Sequence, residues 1–192
     1  MSKEDLYSTI DKNIFLETLQ AYSPSTEEEL DHHRSTILFV STHDDPFSRS
    51  TLSGHITASA WIKSPDEKSA LLIHHSKLNL WFQPGGHIEA KDPTVFEAAK
   101  REALEETGLV SISAVSNNIF DIDVHTIPAR QDVAEHLHYD IRYLFKAQSW
   151  DLSPDFSEVK AVEWVNIHDW INKNSAHGSV GRMMSKSISL SR

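Results

Sequence analysis

Residues 84–109, PGGHIEAKDPTVFEAAKREALEETGL, constrain this chain more than any other stretch. The Gly85-Gly86 pair sets a tight turn. Val95, Phe96, Ala99, Ala103 and Leu104 then supply the apolar face of a helix that can pack on a sheet. Asp92 is expected to cap this helix, with Pro93 at its first position, where a missing N–H has no partner to lose. Gly108 stands where a left-handed residue ends a helix. Glu102, Glu105 and Glu106 fall at i, i+3 and i+4 and share one face. Three carboxylates so placed suit a hard divalent cation, since Mg²⁺ takes a few carboxylates together with waters and substrate phosphates. The competing expectation is a solvated acidic face, because like charges at this spacing cost only about 0.2–0.5 kcal/mol.

Taken together, Gly86, Glu89, Arg101-Glu102, Glu105-Glu106 and Gly108-Leu109 resemble the Nudix box of the Nudix hydrolases. That signature runs G-x5-E-x7-R-E-U-x-E-E-x-G-U, with U an aliphatic residue. REALEETGL matches its second half in full. The first half departs twice: Asp92 stands in place of Glu, and eight residues rather than seven separate it from Arg101. The extra residue falls at the start of the helix, where a loop can absorb it and leave the acidic face intact.

Outside this stretch the sequence excludes several classes of function. A chain of 192 residues can bury one good core with an added subdomain. With 28 acidic against 18 basic side chains and a net charge of −10, it is not built to neutralise a nucleic-acid backbone. It has no cysteine, so disulfides, thiolate metal sites and a cysteine nucleophile are ruled out. With no apolar run of membrane-spanning length and no leader pattern, a cytoplasmic protein without membrane contact is expected.

The chain is expected to comprise a helical extension over residues 1–50, a catalytic domain over 51–177 and a tail over 178–192. Leu6, Ile10, Phe15, Leu16 and Leu19 recur at helical spacing, and Ser23-Pro24-Ser25 breaks that pattern. Ser25 followed by Glu28 resembles a capping box for a second helix toward Leu38 or Val40. His32, His33 and His43 are expected as exposed helix histidines rather than metal ligands. HITASAWIK and SALLIHHS, joined by a turn at Pro65-Asp66-Glu67, predict a hairpin. Trp81 and Phe82 then either line a pocket or pack in the core. Residues 112–125 are strand-rich but irregular.

In HLHYDIRYLFKA, Leu137, Tyr139, Ile141, Tyr143 and Phe145 alternate with His136, His138, Asp140 and Arg142. That polar face is expected to meet solvent, or else a substrate, with His136, His138 and Arg142 donating to phosphate or base. Residues 159–165 predict a short strand and 167–173 a short helix. The Ser-rich basic end is expected as a frayed tail or a surface helix.

The resemblance implies an α/β/α sandwich around a mixed sheet and hydrolysis of a nucleoside diphosphate linked to another moiety. It implies that Glu102, Glu105 and Glu106 bind Mg²⁺, or Mn²⁺, with the Gly85 carbonyl. Arg101 is expected to hold a box glutamate in place, and Glu89 to support the loop. The proton from the attacking water goes to a box glutamate or to an acid before the last strand, Glu158 or Asp155. Trp81 joins the candidate substrate contacts. A small nucleotide-type partner is expected, for a monomer or homodimer. The rivals are a Nudix-fold binding or regulatory module with little turnover, and a zinc protein using some of the twelve histidines. The zinc alternative is the weaker, because no helical H-E-x-x-H spacing occurs.

Overall fold

The computed structural model describes residues 9–75, 80–130, 133–154, 156, 159–174 and 178–189. Two helices come first, α1 (Lys12–Ala21) and α2 (Glu27–Thr42). Strands β1 (Gly54–Lys63), β2 (Ser69–His75), β3 (Trp81–Phe82) and β4 (Gly85–His87) lead to helix α3 (Val95–Thr107). Strands β5 (Ile112–Ile127), β6 (His136–Ala147) and β7 (Val159–Asn166) follow, then helices α4 (Ile167–Lys173) and α5 (Gly178–Ser189). Among the described residues seven strands form one sheet in the order β3-β2-β1-β6-β5, with β4 paired to β1 and β7 to β2.

The chain clusters into two compact units that interleave along the sequence. One comprises Met1–Ala58, Gly86–Ala99 and Asn118–Arg142; the other comprises Ser59–Gly85, Lys100–Asn117 and Tyr143–Arg192.

In the first unit α1 and α2 bury Phe15, Leu19, Phe39 and Val40. The Phe39 ring stacks on Tyr139 with centroids 4.1 Å apart, and Phe15 meets Phe47 edge-on. Helix α2 is capped one residue later than expected. Thr26 Oγ1 accepts from Glu29 N–H, and the Glu29 carboxylate reaches back to Ser25 N–H at 2.7 Å. Glu29 is fully buried and also takes the Tyr22 hydroxyl, so the cap ties α1 to α2. His33 is buried as well, with Nε2 2.7 Å from the Leu19 carbonyl, which corrects the expectation of an exposed side chain.

In the second unit β2 and β7 pair antiparallel from Ser69↔Asn166 to His75↔Val159. Trp61, Ile62, Leu71, Leu72 and Phe145 fill the core. Residues 178–189 are neither frayed nor a simple surface helix. Met183 and Met184 on α5 are fully buried, and Trp61 donates its indole N–H to Ser187 Oγ at 2.6 Å. Residues 112–127 form one continuous strand, more regular than their sequence suggested.

Candidate active site

The turn before α3 is set by close approach. A Cβ on Gly85 would lie 2.7 Å from Ser59 Cα, inside any real contact. Helix α3 starts at Val95, later than expected. Thr94 Oγ1 accepts from Glu97 N–H at 3.1 Å, so Thr94, not Asp92, is the cap. Asp92 closes the preceding loop instead. Its carboxylate accepts from Glu89 N–H at 2.8 Å, and its own N–H donates to Glu89 O at 2.9 Å. At 3% exposure Asp92 is a buried loop clamp, and the extra residue of this segment is absorbed before the first helical turn. The helix ends at Gly108, whose φ of +64° is the expected left-handed stop. A Cβ there would also fall 1.9 Å from Ser153 O.

Beyond that start the helix presents its acids in order. Arg101 Nη1 donates to Glu102 Oε1 at 3.0 Å and to Glu105 Oε2 at 2.9 Å. Arg101 and Glu102 are 13% and 16% exposed, whereas Glu105 is 51% exposed. Glu106 Oε2 accepts from Gly85 N–H at 2.8 Å, which fixes the glycine turn to the last turn of the helix. One arginine therefore orients two of the glutamates, and a backbone amide orients the third. The donor set is wholly oxygen, and its chemistry fits a hard divalent ion. Since Arg101 and the amide both bind the carboxylates, the oxygens are positioned without having to crowd one another.

Trp81 is 36% exposed, with its ring 5.0 Å from His74. Glu158 and Asp155 lie outside the described residues. His136 is half-buried, with Nδ1 2.9 Å from Ala134 O.

The expectation of an accessible Arg142 is corrected. Its side chain is 2% exposed, and its three nitrogens reach Asp140 at 2.8 Å, Asp121 at 3.1 Å and Asp123 at 3.2 Å. Asp140 also accepts from Thr57 Oγ1 at 3.1 Å. The polar face of β6 is thus covered, because Asp121 and Asp123 on β5 supply its counter-charges. Burial opposes the charge on Arg142, and the three aspartates outweigh that and hold its pKa above the ordinary value. A signal for this existed in FDIDVH, whose alternating acids answer the alternating DIR of β6.

A second set of residues was not legible in the sequence. His55 on β1, His87 on β4 and His138 on β6 each present a ring nitrogen within 4.8 Å of the others. Burial is the first cause holding all three imidazoles neutral. His55 falls to about 4, helped by His136; His87 falls to about 3, helped by Arg49; His138 falls to about 2, helped by His55. His125 adds its ring 5.6 Å from His138 and bonds Asp123 at 3.1 Å. No spacing rule joins positions 55, 87 and 138, which three neighbouring strands bring together.

A family model described as NUDIX domain matches residues 54–184. The chain is 36% identical over 93 residues to Phosphatase NudJ of Escherichia coli K12, covering 47% of this chain and 54% of that protein. It is 30% identical over 118 residues to m7GpppN-mRNA hydrolase NUDT17 of Danio rerio, covering 55% of this chain and 39% of that one. It therefore spans only about 39–54% of the length of these relatives. Among solved structures, a NUDIX-family hydrolase from Clostridium perfringens superposes with a TM-score of 0.54 at 26% identity, over 72% of this chain and 98% of that one. An Ap4A hydrolase from C. elegans superposes with a TM-score of 0.55 at 19% identity, over 70% and 96%, a likeness of fold.

Proposed function

Because the chain belongs to the Nudix family, we propose that it hydrolyses a pyrophosphate bond in a nucleoside diphosphate linked to another moiety. The observation that carries this is the double grip of Arg101 on Glu102 and Glu105, with Glu106 fixed on the Gly85 amide. Glu102, Glu105, Glu106 and the Gly85 carbonyl are the groups that would hold Mg²⁺, with Mn²⁺ as an alternative. Such an ion neutralises charge on the bridging and leaving oxygens and makes a bound water more acidic.

The chain's own residues do the rest. Arg101 keeps two carboxylates in register, so little reorganisation is needed when substrate arrives. Glu105, the exposed member of the set, would take the proton from the attacking water; Glu158 is its rival for that role. Trp81 offers a partly exposed ring for stacking on a base. The partner is a small nucleotide derivative rather than a nucleic-acid polymer, consistent with the net charge of −10. Among the described residues no helix is long and apolar enough to cross a membrane, and the setting we assign is the cytoplasm.

The test is a panel of nucleoside di- and triphosphates, nucleotide sugars, dinucleoside polyphosphates and coenzyme-type diphosphates, assayed with Mg²⁺ or Mn²⁺, with products identified. Cleavage at a pyrophosphate bond that is lost in Glu105→Gln supports the proposal. No cleavage of any member removes it.

A further inference from the structure

The histidines gathered on β4, β1 and β6 stand apart from the glutamate set in donor chemistry as well as in residues. We propose that His55, His87 and His138 form a binding site for one borderline divalent transition-metal ion of the zinc class. Nothing in this inference depends on what the box glutamates bind.

Three observations support it. First, three imidazole nitrogens on three strands lie within 4.8 Å of one another, on backbone held by sheet pairing. At zinc–nitrogen distances of about 2.0–2.1 Å the ligand atoms of a tetrahedral site sit roughly 3.4 Å apart. Side-chain rotation of ångström scale closes that difference, and the strands need not move.

Second, His55 is 4% exposed, and neither of its ring nitrogens has a hydrogen-bond partner among the described residues. An imidazole taken out of water with no partner is a net cost, and buried polar groups are as a rule satisfied. A metal ion facing the lone pair supplies the missing partner.

Third, the cluster has an outer layer of the kind that orients metal-bound histidines. His136 sets one nitrogen against the Ala134 carbonyl and the other 3.3 Å from His138 Nε2. His125, beside His138, is in turn bonded to Asp123.

Imidazole donors favour zinc, copper, nickel or iron over magnesium, which prefers oxygen. Three protein ligands leave a fourth position for water or an external ligand. His138, expected from alternation to face a substrate, is assigned to the ion instead. Packed neutral histidines that bind no ion are the competing account, and the two differ in a direct measurement.

Protein made without a histidine tag and stripped with chelator is titrated with Zn²⁺ by calorimetry, and again with Co²⁺ while the visible spectrum is followed. One Zn²⁺ per chain, with a higher Tm and an intense four-coordinate Co²⁺ spectrum, is the expected result. His87→Gln and His138→Asn should each weaken zinc binding by more than about 100-fold, beyond what the loss of an outer-layer group costs. Glu105→Gln should leave the zinc isotherm unchanged, which separates this site from the glutamates. Absence of stoichiometric zinc uptake overturns the inference. So does uptake that survives both histidine substitutions, or uptake abolished by Glu105→Gln. If the histidine variants fail to fold, the wild-type stoichiometry and Co²⁺ spectrum decide alone.

Discussion

The guanidinium of Arg142 donates through Nε to the carboxylate of Asp140, its neighbour two positions back on the same strand, at 2.8 Å and out of reach of solvent. Asp121 and Asp123 complete the set. Removing one partner of a buried ion group leaves uncompensated charge, at about 3–5 kcal/mol. Arg142→Ala should therefore lose stability on that scale in urea unfolding, and not merely raise KM. A loss below about 1 kcal/mol with full secondary structure would show that water reaches the cluster.

A second expectation concerns the oriented acids. In Glu106→Gln the amide oxygen can still accept from Gly85 N–H, so the turn should hold while the charge is gone. Turnover on the identified substrate should fall by roughly 100-fold or more, the scale on which one electrostatic stabiliser is missed. Tm should stay level or rise. Arg101→Lys should also lower kcat, because an ammonium on a different stem replaces a planar fork that serves Glu102 and Glu105 together. Full activity in both variants would contradict the roles given to these residues.

The last helix gives a third. Ser187→Ala removes the acceptor of the buried Trp61 indole N–H, which should cost about 1–3 kcal/mol. Truncation before Gly178 also removes Met183 and Met184, each fully buried, where large-to-small losses run to about 2–5 kcal/mol apiece. Equilibrium unfolding of the two proteins checks both expectations. A truncated chain with unchanged Tm would return this segment to the status of a tail.

Glu67 sets the sign of a pH effect. Its carboxylate is held below the usual range first by Lys146, at 2.8 Å, and then by Lys63, at 3.0 Å. A depressed folded-state pKa gives stability that is present above the unfolded value of about 4.3 and is lost as pH falls through the folded one. Because Glu67 is 44% exposed, screening keeps the effect under about 1 kcal/mol. Glu67→Gln should lower stability at neutral pH and converge on wild type in acid. A difference that grows as pH falls would reverse the assignment.

What could be read from the sequence was what is local. The box helix and its left-handed stop follow from spacing along one turn or two, and both are found; Arg101, expected from the resemblance to hold one box glutamate, meets two. The start of the helix shifted by a few residues because Asp92 had a competing use, closing the loop on Glu89. Alternation along β6 separated two faces correctly. It could not show that the polar face is covered, since its counter-charges sit on β5, some twenty positions earlier. The histidine cluster is less legible still, drawing on positions 55, 87 and 138 through strand pairing alone. The burial of α5 escaped notice because two adjacent methionines make no periodic pattern.

Gly108 joins two parts of the molecule that are usually considered separately. A left-handed φ of +64° by itself tolerates asparagine, which adopts that region more readily than other side chains. The Ser153 carbonyl allows no such exchange, because any Cβ would overlap it, and Ser153 N–H also donates to Thr107 O at 3.2 Å. The final turn of the acid-bearing helix is thus the dock for the backbone at Ser153. Asparagine and alanine at position 108 should be equally disruptive, which makes this glycine a spacer between two chain segments more than a hinge. Its lack of a side chain sets how near the backbone at Ser153 can come to the end of the helix.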